Sequence, residues 1–132
     1  MSWLVETLLL GRIAIRSESN VDSDEYHDLI LVEQKISELL DLGLIDVFEL
    51  SIMNYVLSNR PYSELEKMLS ISRETISKYF RGICNRVSYA LGGYFTDEGF
   101  MEHMKDKYNL TGEHVEKMKE HMVGKYRHTI RR

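Results

Sequence analysis

The sequence predicts an all-α protein, and three observations carry that prediction. Apolar residues recur at helical spacing in one segment after another. The 132-residue chain holds a single proline and seven methionines, and it is rich in Leu, Glu and Lys, residues that favour helix. Capping and stop signals then divide it at intervals that suit helices. No strand-rich stretch, internal repeat or low-complexity tract interrupts the pattern.

The chain opens with Trp3, Leu4, Leu8 and Leu9 at helical spacing, followed by the alternation Ile13, Ile15. This predicts a short helix running into an extended end. A terminus so apolar must pack on its own core or on another copy of the chain. Residues 16–23 are polar and turn-like, as expected of a linker. From Asp24 to Leu42 a helix is predicted, capped by Asp22 or Ser23, with Asp24 and Glu25 at its positive end and Gly43 as its stop. Leu29, Val32, Ile36, Leu39 and Leu40 form its apolar stripe. The next helix opens with the box-like Asp46-Val47-Phe48-Glu49 and runs to about Leu57, with Val47, Leu50, Met53, Val56 and Leu57 as its expected buried face. Asn59-Arg60-Pro61 breaks it.

Pro61 to Leu91 reads as a short helix, a tight turn and a longer helix. Ser63 and Glu66 have the spacing of a capping box for the first. Leu65, Leu69, Ile71, Ile76 and Tyr79 are the apolar positions that two helices crossing at a turn require. Ser72 is the expected cap of the second helix. Its exposed face would carry Arg73, Ser77, Lys78, Arg81 and Asn85, and its inner face Ile76, Phe80, Ile83, Val87 and Leu91, until Gly92-Gly93 stops it. Gly82 should weaken this helix by about 1 kcal/mol relative to alanine, and close packing would explain it. Two amphipathic segments follow. One starts at Thr96 or Asp97 with Phe100, Met101, Met104 and Tyr108 inward; the other starts at Thr111 with Val115, Met118, Met122 and Tyr126 inward. The expected organisation is an apolar segment and linker (1–23), a helix-turn-helix domain of about four helices (24–93) and a two-helix extension with a basic tail (94–132).

Charge is unevenly spread behind the net value of −4: −7 over residues 1–60, +2 over 61–93 and +1 over 94–132. An acidic front and a basic centre and tail suit a protein offering DNA one face and another partner the other. One cysteine excludes an internal disulfide and a cysteine-based metal site, which fits a reducing cytoplasm. Residues 1–15 contain Glu6 and Arg12, lack a basic leader and are too short to span a bilayer, so a cytoplasmic protein without a membrane partner is expected.

From about Leu40 to Leu91 the chain resembles region 4 of bacterial sigma factors, its relatives in LuxR-type regulators, and small phage transcription regulators of the ArpU and RinA kind. The matching residues are Leu44 to Leu50, Ser63-Glu64-Leu65 with Leu69, and Ile71 to Ile76 with Arg81. Glu66 stands where the family usually has a small residue, and Ser70 where the turn usually has glycine. If Ser70 is left-handed, it costs about 1 kcal/mol. The resemblance implies a transcription regulator reading the major groove with the helix that starts at Ser72, of the kind that phages and mobile elements encode and that acts as a dimer or with RNA polymerase.

Seven residues are candidate DNA contacts: Ser72, Arg73, Glu74, Ser77, Lys78, Arg81 and Asn85. Arg73 suits bidentate bonding to guanine, while Lys78 and Arg81 suit phosphates. Glu74 either accepts from cytosine N4 or simply favours the helix start, the second being preferred. Lys125, Arg127, Arg131 and Arg132 are candidate phosphate contacts in the tail, against the alternative of a solvated terminus. No enzymatic chemistry is expected, and no cofactor or metal. His103, His114, His121 and His128 lack an HExxH or carboxylate pattern. Cys84 lies near Arg81 and Arg86, which would lower its pKa, but a buried spectator thiol is preferred. Partners expected are double-stranded DNA, RNA polymerase or another protein through the acidic half, and a second copy in a homodimer. Two other classes stay open: a small DNA-recognition subunit of a phage packaging terminase, and a protein-interaction module that keeps the fold without binding DNA.

Overall fold

A computed structural model describes residues 2–18, 22–58, 60–96 and 98–100, together with 102 and 113. The described residues are all-α: α1 (Trp3–Leu10), α2 (Arg12–Glu18), α3 (Asp24–Asp41), α4 (Val47–Val56), α5 (Tyr62–Leu69) and α6 (Arg73–Leu91), followed by a 3₁₀ turn over Gly93–Phe95. The long α6 is shared by two groups of helices. It packs with α1 and α3 on one hand and with α4 and α5 on the other.

The apolar N-terminus is core. Trp3, Leu4, Val5, Leu8, Leu9 and Leu10 are all buried in one cluster with Leu29 and Val32 of α3 and Ile83 and Val87 of α6. A helix that is apolar all round has to be enclosed, and here its own chain encloses it. The expected extended end is instead α2, which begins after Gly11 and includes residues assigned to the linker. Ile15 is fully buried while Ile13 is 58 % exposed, as a helix rather than a strand alternation allows. Arg16 of α2 pairs with Glu33 of α3.

In α3 the expected cap and stripe form: the Tyr26 amide donates to Ser23 Oγ, and Leu29, Val32, Ile36 and Leu39 are buried. Gly43 has φ +75° just beyond the helix end, a conformation that suits glycine. Asp46 and Glu49 complete the capping box at α4. Most of the expected buried face of α4 also forms: Met53, Val56 and Leu57 are buried and Leu50 packs against the core, with one exception. Val47 is 72 % exposed, and Ile52, with Met53 and Val56, takes the core position. Val47 shares its side of α4 with the exposed Ser51 and Asn54, four and seven residues on, and that polar side faces solvent.

The Ser63 capping box does not form. Pro61, with ψ 145°, occupies the N-cap position, and α5 begins two residues earlier than that box requires, at Tyr62. Ser70 is left-handed (φ 56°, ψ 35°), the one non-glycine residue of positive φ among those described. Gly82 is not a close-packing site either: a β-carbon there would meet only Arg86 Nη2 at an ordinary 3.7 Å. Beyond α6, the Gly99 amide donates to Thr96 Oγ1 at 3.0 Å, the bond expected if Thr96 starts the next segment. Phe100 is buried edge-on against Trp3, with ring centroids 4.5 Å apart. The remaining inward positions assigned to the C-terminal segments, from Met101 to Tyr126, lie outside the described residues.

Candidate nucleic-acid interface

The turn between α5 and α6 is three residues long: left-handed Ser70, half-buried Ile71, and Ser72 in extended conformation. Leu65 and Ile76 are fully buried on either side of it, and Leu69, Ile71 and Tyr79 pack against the core at its edge. The expected apolar joint is thus in place. Ser72 Oγ accepts from the Thr75 amide at 3.2 Å and shares a 2.9 Å hydrogen bond with Thr75 Oγ1. Its side chain serves the helix start, so Ser72 positions the face rather than extending it.

Outward from that start, Arg73, Glu74, Lys78 and Arg81 are exposed and Ser77 is half-buried. Arg73 is not loose: its guanidinium lies 4.9 Å from the centroid of the Tyr62 ring at the start of α5. Such a cation–π contact at an exposed site is worth about 0.5–1 kcal/mol. Sequence spacing gives no hint of this partner, because Tyr62 belongs to the other helix. Arg81 Nε makes only a long 3.4 Å bond to the Ser77 carbonyl. Glu74 sits in the first turn, where a carboxylate offsets the exposed amides of the helix end.

Asn85, also exposed, makes a hydrogen-bonded tertiary contact that the others lack. Its Oδ1 accepts from both the amide and the hydroxyl of Ser2, at 3.2 and 2.9 Å, and so ties α6 to the start of α1. The candidate face ends near Arg81, where α1 reaches α6. Arg86, one residue on, is also structural: it pairs with Glu49 through both nitrogens and donates to the Leu44 carbonyl at 2.6 Å. Hydrogen bonding to Arg86 is the main cause holding the Glu49 carboxyl below its ordinary range. Across the molecule, Tyr94 hydroxyl donates to Asp28, whose carboxyl is pushed up chiefly by burial.

Cys84 is fully buried, and burial pushes its thiol well up rather than down. The neighbouring arginines in sequence point elsewhere, so Cys84 is a packing residue. Among the described residues no group of three or more His, Cys, Asp or Glu is placed to hold a metal, and no helix is long and apolar enough to cross a membrane. His103, His114, His121 and His128, and the tail candidates Lys125, Arg127, Arg131 and Arg132, lie outside the described residues.

Fold and site together define a class: an all-α chain in which a short helix, a three-residue turn and a long helix present a mostly cationic helix start. No family model, curated protein or solved structure matches this chain.

Proposed function

We propose that this protein is a sequence-specific DNA-binding transcription regulator that reads the major groove with the first three turns of α6. The observation that carries the reading is the row of exposed Arg73, Lys78 and Arg81 with half-buried Ser77 among them, which starts at a capped helix end. Arg73 is the base reader, able to bond bidentately to guanine, and Tyr62 presets the direction of its guanidinium. Ser77 supplies an adaptable hydroxyl. Lys78 and Arg81 hold phosphates and fix register. Asn85 is assigned to the scaffold. Glu74 stays with the helix start and lowers affinity for any sequence that would bring a phosphate against it.

Selection of bound duplexes from random DNA by the full chain tests the reading. A recovered consensus containing guanine, lost or relaxed at one position in Arg73→Ala, is the expected result. With two phosphate-holding cations, Lys78 and Arg81, log K should fall against log salt with a slope of about −2. Failure to retain any duplex at low salt would refute DNA binding.

A further inference from the structure

Four large apolar side chains within one short stretch face solvent: Leu42 (71 % exposed), Leu44 (57 %), Val47 (72 %) and Phe48 (55 %). They occupy the turn between α3 and α4 and the first turn of α4. Four such side chains within seven consecutive residues make this stretch a candidate docking surface. It is not a loose stretch. Arg86 clamps the Leu44 carbonyl and Glu49, Asp46 and Glu49 close the capping box, and Phe48 meets Tyr79 of α6 edge-on with ring centroids 5.7 Å apart. The apolar side chains are therefore held outward on a rigid base, already ordered for a partner.

The chemistry around the cluster selects that partner. Residues 38–49 contain Glu38, Asp41, Asp46 and Glu49 and no basic residue. Glu38 pairs with Lys35 and Glu49 with Arg86, which leaves the exposed Asp41 and Asp46 as the charges flanking the apolar centre. We propose that this cluster is the docking surface for a basic amphipathic segment of another protein. Its apolar side chains cover Leu42, Leu44, Val47 and Phe48, and its Lys or Arg side chains meet Asp41 and Asp46. A second copy of the chain fits poorly, because a two-fold contact of this surface brings a second acidic rim and no cation to meet Asp41 and Asp46. An anionic lipid surface is repelled by the same carboxylates. Tyr79, which supports the cluster, lies roughly 100° round α6 from Lys78 and roughly 160° from Arg81 at 3.6 residues per turn. The partner therefore approaches from a different side than the face assigned to DNA.

The test uses the full chain and two fluorescein-labelled helical peptides, one of Leu and Lys and one with every Lys replaced by Glu, read by fluorescence anisotropy. Binding of the Lys peptide, at least about tenfold weaker in the double variant Leu44→Ser, Val47→Ser and at least about tenfold weaker for the Glu peptide, is the expected result. Backbone amide shifts on titration should concentrate at residues 41–48. Both substituted side chains are exposed, so an unchanged melting curve verifies the fold, and retained duplex binding separates this surface from the DNA face. Absence of Lys-peptide binding, equal affinity for the two peptides, or undiminished binding by the double variant would each overturn the proposal. So would a fall in solution mass from dimer to monomer in the double variant, which would assign the surface to a second copy.

Discussion

Removing the Arg86 side chain is the most decisive single perturbation of this fold. Its guanidinium makes two bonds to Glu49, one of them at 3.1 Å, and one of 2.6 Å to the Leu44 carbonyl, and so joins α6 to α4 and to the turn before it. Charge-assisted hydrogen bonds contribute roughly 1.5–3 kcal/mol each. That figure has to be discounted, because the Arg86 side chain is 37 % exposed and water screens it. Glu49 is only 16 % exposed, however, and would be left with a poorly solvated carboxylate. We expect Arg86→Ala to destabilise by roughly 2–3 kcal/mol, a fall in Tm on the order of 10 °C for a domain of this size. Urea unfolding followed by circular dichroism measures it, and a double-mutant cycle with Glu49→Gln isolates the pair at about 1–2 kcal/mol. The Glu49 carboxyl is held below its unfolded value, so the pair's contribution is complete above the ordinary carboxylate range and is lost as pH falls through the lowered value. The cost of Arg86→Ala must therefore shrink in acid. A cost below about 0.5 kcal/mol near neutral pH, or one that stays constant as Glu49 protonates, would refute the reasoning.

Other substitutions have equally definite outcomes. Gly82→Ala should stabilise by about 0.5–1 kcal/mol in the same unfolding assay, since helix propensity improves and the added methyl meets nothing closer than 3.7 Å. Gly99→Ala should destabilise by about 1–3 kcal/mol, because its β-carbon would fall 1.9 Å from the Gly93 carbonyl oxygen and backbone must move. Asp28→Asn keeps an acceptor for Tyr94 and removes a carboxyl whose pKa is raised by burial. Wild-type stability should fall relative to the variant as pH rises from the ordinary carboxylate range through that raised value, a trend that parallel urea titrations would expose. Arg73→Ala should weaken consensus duplex binding by about 1–3 kcal/mol in a mobility-shift titration, and unchanged operator preference would remove Arg73 from the base-reading role.

Local chemistry made several elements legible. Ser23, Asp46 and Ser72 each cap the helix they precede because a short polar side chain before an amphipathic run satisfies an otherwise orphaned amide wherever the helix is placed. The stripe of α6 was equally clear, since its polar and apolar sides differ strongly. The left-handed φ of 56° at Ser70 follows from the sequence only as a condition, through a resemblance in which glycine usually holds that position. The two faces proposed for partners were less legible. The Arg73 row could be named from spacing, but Tyr62 as its support and Asn85 as part of the scaffold depend on residues 11 and 83 positions away. The exposed apolar cluster was hidden because Val47 looked like core.

What the sequence by itself determined is the helical class, most helix boundaries and the polar face of α6, all consequences of interactions within a few residues. The tertiary structure decided which sides of α1 are enclosed and that Ile52 rather than Val47 completes the buried face of α4. Val5 and Ile52 are buried, whereas Val47, equally apolar, is exposed. Apolar transfer energy is non-directional and rewards burial of any of these side chains about equally. Only the packing of α6 against α1, α3, α4 and α5 settles which of them water loses.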